Sequence, residues 1–162
     1  MTLRSPLVLG ADGLPQQLQS GDTITSSVST PSIRAVTNSE AATALTIGMP
    51  VYASAADAVK RAQANAKTTS KLAGLVYDAS IAAAGVGNIA QSGVLVATTV
   101  QWDAIAGTTG GLIFNTTYFL DPVTAGKITA TPPTTLGQCN TVVGMAISGT
   151  ELEIQISLPV LL

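Results

Sequence analysis

Residues 151–158, Glu-Leu-Glu-Ile-Gln-Ile-Ser-Leu, alternate polar and apolar side chains without a break. Successive side chains of a β-strand point to opposite faces of its sheet, so this alternation predicts a strand with one buried face. The even-numbered residues, all leucine or isoleucine, would face a core. The odd-numbered residues, which include Glu151 and Glu153, would face solvent.

Short segments rich in threonine and valine, separated by turn residues at hairpin spacing, precede this strand from residue 41 onward. Such residues suit a pleated, half-buried surface. The predicted strands are residues 44–47, 50–53, 71–77, 87–90, 93–99, 117–120, 127–130, 142–147 and 151–156. We therefore expect an all-β protein: a small β-barrel or β-sandwich body over residues 41–162, preceded by an extended N-terminal arm over residues 1–40.

The body contains an internal resemblance, which predicts two related β motifs, about residues 44–97 and 112–158. The matched segments are residues 50–54, 58–62 and 72–76 in the first motif and residues 117–121, 125–129 and 142–146 in the second. Residues 53–66 are alanine-rich, and their propensity alone favours a helix. The second copy carries Gly126 and two prolines, which favours a strand over residues 59–64.

A glycine inside a strand of each motif, Gly74 or Gly144, predicts a bulge or a close backbone approach. Residues 102–106, closed by Gly107, predict a short helical turn.

The composition is poor in charge. Of 162 residues, 46% are hydrophobic and 10% are charged, and the mean hydropathy is +0.44. A typical domain has about 25% charged residues. A surface with so few charges favours an assembly that buries it.

Seven basic against nine acidic residues argue against nucleic-acid binding. The apolar runs are shorter than the roughly 20 residues that cross a bilayer, and the start lacks the pattern of a secretion signal. We expect neither a nucleic-acid nor a membrane partner.

The chemistry of common active sites has few candidates in this sequence. Histidine is absent and Cys139 is the one cysteine, which argues against a catalytic triad and against the usual zinc and haem sites. Adjacent Ser70 and Lys71 would point apart in a strand, and Glu151 and Glu153 on a solvent face more often serve solubility. We expect no enzyme, no catalytic, cofactor-binding or metal-binding residue, no cofactor and no small-molecule substrate.

Candidate contact residues divide into two sets. Contacts of the arm with a capsid or another partner are expected at Leu7, Leu9, Leu18, Thr23, Ile24, Thr25 and Val28. A subunit interface is expected at Trp102, Phe114, Tyr118, Leu158, Val160, Leu161 and Leu162, because aromatic residues often anchor interfaces and the chain end is unusually apolar. A basic cluster, Lys60, Arg61, Lys67 and Lys71, is either a solvated loop or a contact with an acidic protein surface.

The chain resembles the capsid decoration (cement) and head-fibre proteins of tailed bacteriophages, over most of its length. The residues that carry the resemblance are 7–24, 48–59, 71–76, 81–85, 93–96, 111–122, 126–129, 132–135, 143–146 and 150–154.

The resemblance implies a structural virion protein that binds the outer surface of a phage capsid and stabilises the head by bridging subunits of the major capsid protein. It also implies a homo-oligomer, most often a trimer, made in the cytoplasm of the host bacterium and located on the capsid exterior. An arm that adds a strand to an exposed sheet edge would gain main-chain hydrogen bonds. The alternative is a trimeric tail or baseplate fibre module that binds a host receptor, which would need a polar and aromatic groove.

Overall fold

The structure is a computed structural model that describes residues 7–9, 15–17 and 30–162. The strands are β1 (Leu7–Leu9), β2 (Pro15–Gln17), β3 (Ser32–Asn38), β4 (Leu45–Thr46), β5 (Pro50–Ala55), β6 (Ala58–Arg61), β7 (Leu72–Val76), β8 (Ser80–Ile81), β9 (Val86–Val96), β10 (Thr117–Leu120), β11 (Ile128–Thr129), β12 (Cys139–Asn140), β13 (Val142–Ala146), β14 (Glu151–Ile154) and β15 (Val160–Leu161). One short helix, α1 (Thr99–Ala106), accompanies them. The all-β prediction, with a barrel in the body, is confirmed.

Five strands close the barrel in the order β3, β6, β5, β7 and β9, since β9 pairs with both β3 and β7. Each strand contributes one buried side chain to the interior; these are Val36, Val51, Val59, Val76 and Ile89. The pair β4–β8 adds Leu45 and Ile81 to the same core. The interior is therefore filled by branched apolar side chains.

A second core lies against the outside of the barrel. β9 continues past the barrel, and its residues 93–96 pair with β14, which is followed by β13, β10 and β11. Leu152 and Ile154 of β14 point into this core, together with Trp102 and Ile105 of α1. The two strands predicted at residues 87–90 and 93–99 are thus one long strand shared by both cores.

The two predicted motifs are confirmed as a structural repeat. Strands β5, β6, β7 and β9 correspond to β10, β11, β13 and β14, and the antiparallel pairings within each set are the same. In the first repeat the register shifts just after the pair Val51–Gly74, and in the second just after Tyr118–Gly144. The alanine-rich segment is the strand β6 rather than a helix, as the internal comparison predicted, although it ends at Arg61.

Part of the predicted arm belongs to the sheet. β3 pairs antiparallel with β9 from Ser32 to Thr37 and parallel with β6 at its end. Residues 32–38, predicted as part of the arm, are therefore a wall of the barrel. Nearer the N-terminus, β1 and β2 pair antiparallel, in agreement with the extended segment expected there.

The alternating stretch that predicted a long strand leaves the sheet earlier than expected. β14 ends at Ile154, and the chain then turns so that β15 can pair with β12. Leu152 and Ile154 are buried as predicted, Ile156 is half-buried, and Leu158 is exposed. The predicted inward position of Leu158 is wrong because residue 158 no longer lies on the sheet.

The helix α1 begins three residues before the predicted helical turn and ends at the predicted residue, Ala106. Thr98 caps its N-terminus, and Gln101 returns a side-chain bond to the Thr98 backbone, which completes a capping box. Gly107 ends the helix with a φ of 67°, in the left-handed region. Among the described residues, no helix is long and apolar enough to cross a membrane.

Substituting Gly74 or Gly144 by alanine tests the close approach of the repeat strands. A Cβ at Gly74 would lie 2.6 Å from the carbonyl oxygen of Ala90, and one at Gly144 would meet the carbonyl oxygen of Glu153. Because backbone must shift, each variant should lose about 1–3 kcal/mol of unfolding free energy, measured by urea denaturation. Gly149→Ala is the control, since its Cβ would stand 3.5 Å from its nearest neighbour. Equal stability of all three variants would contradict the close approach.

Candidate functional site

Two of the predicted interface residues lie inside the protomer. Trp102 and Tyr118 have no exposed surface, and both belong to the second core. The indole N–H of Trp102 donates to the carbonyl oxygen of Thr150 at 3.0 Å, and the Tyr118 hydroxyl accepts the Ile113 N–H at 3.0 Å. The expectation that they contact another subunit is corrected, because their surface and their polar atoms are already used within the chain.

The other predicted interface residues are at the surface. Phe114 is 72% exposed, just before a turn in which Asn115 has a φ of 57°. Leu158 is 77% exposed, Val160 and Leu161 are each 61% exposed, and Leu162 is half-buried. Their contact with another subunit stays a prediction.

The predicted arm contacts fall largely outside the described residues. Leu18, Thr23, Ile24, Thr25 and Val28 lie outside them. Leu7 and Leu9 are placed only as positions of the strand β1.

The apolar residues at the C-terminus form a surface that we call the C-terminal ribbon: strands β12 and β15 with the exposed side chains of Leu136, Leu158, Val160 and Leu161. Backbone bonds of Leu162 with Gly137 and Gln138 extend the pairing. β15 pairs only with β12 among the described strands, so its other edge has no strand neighbour there. An apolar edge of this kind is a template for contact with another chain.

A second surface lies on the solvent side of β14. Glu153 stands directly between Met145 of β13 and Val94 of β9. Glu151 stands opposite Val96, and the Ile147 N–H donates to its carbonyl oxygen.

We call Met145, Ile147, Val94, Val96, Glu151 and Glu153 the carboxylate face. Its four apolar side chains belong to neither core, and Val96 and Ile147 are exposed. The Glu153 carboxylate accepts a hydrogen bond from Gln155, and that of Glu151 accepts one from Ser148. Neither forms an ion pair with a described residue. The sequence placed both glutamates on the solvent side of a strand, but it gave no sign of the apolar residues beside them.

The basic cluster is divided by the fold. The Arg61 guanidinium binds Glu40 at 3.2 Å, and the Arg61 backbone N–H donates to the same carboxylate oxygen at 3.0 Å. Lys67 and Lys71 are exposed on the loop between β6 and β7, and Lys60 is half-buried on β6. Among the described residues, these three lysines form no ion pair. The fold therefore uses Arg61 in an internal ion pair and leaves the three lysines without an acidic partner among the described residues.

Among the described residues, the acidic groups outside the carboxylate face have structural partners. Asp103 of α1 accepts the N–H groups of Gly111 and Gly110 and the Thr108 hydroxyl, and these bonds hold the pKa of its carboxyl below the usual value. Within the described part of the chain, no three Asp, Glu, Cys or His side chains form a group that could hold a metal ion. Cys139 is buried and unpaired. The surface features that remain are the apolar and charged patches described above.

No protein-family model matches the chain, and no curated protein matches it either.

The substitutions Trp102→Ala and Phe114→Ala test whether the first ring belongs to the core and the second to the surface. Trp102→Ala opens a cavity in the second core and should lower the free energy of unfolding by about 3–5 kcal/mol. Phe114→Ala removes an exposed ring and should change it by less than about 0.5 kcal/mol. Thermal and urea denaturation measure both; a large loss with Phe114→Ala would show that this ring is packed.

The ion pair of Glu40 predicts a dependence of stability on pH. Burial by itself raises the pKa of Glu40, but the bonds and charge of Arg61 outweigh it and lower the pKa below the usual value. The lowered pKa stabilises the folded chain above the unfolded pKa of Glu, and this stabilisation is lost as pH falls through the folded pKa. Urea denaturation between pH 7 and pH 3 should show a steeper loss for the wild type than for Glu40→Gln. Identical pH profiles would contradict the role of this carboxylate.

Proposed function

We propose that this chain is a structural protein of a tailed-bacteriophage virion, which binds the outer surface of the capsid and ties neighbouring major capsid protein subunits together. It acts as a homo-oligomer, a trimer, and it works through contact area rather than through a chemical step. Its place is the capsid exterior after synthesis in the host cytoplasm.

The observation that carries the proposal is the amount of apolar surface left by a completed fold. With both cores filled, thirteen large hydrophobic side chains of the described residues are still exposed. The chain has few charges with which to keep such a surface in solution. Contiguous apolar patches on a protein surface mark interaction sites, and four of the thirteen side chains, Leu136, Leu158, Val160 and Leu161, belong to the C-terminal ribbon.

A homo-oligomer that ties capsid subunits together needs surfaces for its own copies as well as for the capsid. The C-terminal ribbon and the carboxylate face are built from different strands, and each combines apolar side chains with an unpaired edge or unpaired charges. The predicted contacts of residues 7–28 would supply a further one. This supports a bridging role better than a role in binding a small molecule.

A receptor-binding fibre module would need a groove with aromatic and polar lining. The groove along residues 121–138 is lined by threonine and proline with Asp121, Val123 and Gln138, and no aromatic side chain lines it. This favours capsid binding over the recognition of a sugar.

Co-sedimentation with capsids tests the proposal. Heads purified from the phage that encodes the chain, and stripped of this protein, should bind the full-length chain saturably, at a fixed number of copies per head. Bound heads should also resist heat disruption at higher temperature than bare heads. Binding to host envelope fractions but not to heads would overturn the proposal in favour of a receptor-binding module.

Deleting residues 2–30 tests the arm within the same assay. β3 begins at Ser32, so the deletion leaves the described barrel and both cores complete. We expect a loss of capsid occupancy of at least tenfold, with a melting temperature that confirms a folded body. Unchanged occupancy would assign capsid binding to the body instead.

A further inference from the structure

The structural repeat leaves one sheet face uncovered. In the first repeat, Leu75 and Ala90 face each other on β7 and β9, and both are fully buried by the second repeat. Gly74 of the first repeat corresponds to Gly144 of the second, so Leu75 corresponds to Met145. The residue that pairs with Met145 is Glu153, which therefore corresponds to Ala90. Both are only half-buried, and both belong to the carboxylate face. The position that is a core in one repeat is therefore a surface in the other.

The chemistry of that face specifies what can cover it. Replacing a buried alanine by Glu153 excludes a purely apolar partner, because a buried carboxylate without a cation is strongly destabilising. Glu151 lies two residues away on the same strand face, about 7 Å along the strand. A partner that fits must bring two cations together with apolar side chains.

The chain carries such a surface elsewhere. Charge is separated along the described residues: residues 30–71 hold five basic and two acidic side chains, and residues 72–162 hold one basic and five acidic. The ion pairs Arg34–Asp57 and Arg61–Glu40 use both acidic groups of the first part and leave its three lysines outside ion pairs of described residues.

Two of those lysines lie on the loop between β6 and β7, which adjoins the C-terminal ribbon. The loop with Lys67 and Lys71 is bonded to the C-terminal ribbon, since the Cys139 N–H donates to the carbonyl oxygen of Ala64 at 2.9 Å. Farther along, the Thr141 hydroxyl donates to the carbonyl oxygen of Ser70 at 3.4 Å. The loop that carries the two exposed lysines therefore lies alongside β12, on the edge opposite β15, and the loop and the ribbon are neighbours.

We propose that copies of this chain join head to tail, with the carboxylate face of one copy seated on the C-terminal ribbon and on Lys67 and Lys71 of the next. The two surfaces differ, so the contact is heterologous, and repeated contacts of this type close into a ring when the rotation allows. Glu151 and Glu153 pair with the lysines, and the apolar side chains of both surfaces leave water together. This inference rests on the proposed function, because it names the contact that joins the subunits of the homo-oligomer. It can be tested on the protein alone, without capsids.

Charge reversal on the full-length chain tests the contact. We expect light scattering to give the wild type a mass of several chains, and the variants Glu151→Lys/Glu153→Lys and Lys67→Glu/Lys71→Glu each the mass of one chain, 16.3 kDa. The variant with all four substitutions has the net charge of the wild type and restores complementarity, so it should regain the wild-type mass. Circular dichroism and melting temperature check that each variant is folded.

A mixture of the two charge-reversed variants gives a second, independent measurement. Each variant carries two surfaces of one sign, so unlike variants attract while like variants repel, and the mixture should contain species of at least two chains. A wild type that is monomeric, reversed variants that keep the wild-type mass, or a mixture that stays monomeric would overturn the proposal. Capsid co-sedimentation of the same variants is read separately, so a failed contact does not by itself count against capsid binding.

Discussion

The fold depends on a wall that two cores share. On β7, Val76 points into the barrel and Leu75 points into the second core; on β9, Ile89 and Ala90 divide in the same way. Since side chains alternate along a strand, two adjacent strands can serve two interiors only if both faces are apolar. Each of these side chains is excluded from water, and the larger ones are worth about 1.5–3 kcal/mol each when fully buried. Loss of the wall would open both cores together, so the barrel and the second sheet form one body.

The repeat explains why such a body leaves surface unused. A small β motif cannot bury its apolar face alone, and here the second repeat, with α1, covers the outside of the first. The corresponding face of the second repeat carries Met145 and Glu153, and both are half-buried. The replacement of an apolar position by a carboxylate keeps that face compatible with water and makes it selective for a cationic partner. Stability within the chain and selectivity at its surface thus arise from the same duplicated geometry.

At the C-terminus, by contrast, the exposed surface keeps apolar side chains. After Ile154 the chain leaves the sheet and returns as β15, which places Val160 and Leu161 on an exposed edge. Such an edge tends to associate with other strands. Pro159 precedes it and has no backbone N–H to offer, which limits the length of strand that can be added. The loop with Lys67 and Lys71 lies on the other side of β12, where the Cys139 N–H donates to Ala64. Its two cations favour an acidic neighbour.

The sequence by itself determined the local properties of the chain. Alternation predicted the strand class and placed Glu151 and Glu153 toward solvent. The comparison of the two motifs predicted a strand at β6 against the helix propensity of that segment, although the predicted strand, residues 59–64, runs three residues past Arg61. Gly74 and Gly144 marked the close approaches. Only the tertiary structure decided which face meets which: Trp102 and Tyr118 became core residues, β3 became a barrel wall, and the glutamates came to lie between apolar residues of β9 and β13. The physical reason is range. Alternation is a property of neighbouring residues, whereas strand pairing joins residues up to about sixty positions apart, and no local pattern states which distant strand will be the partner.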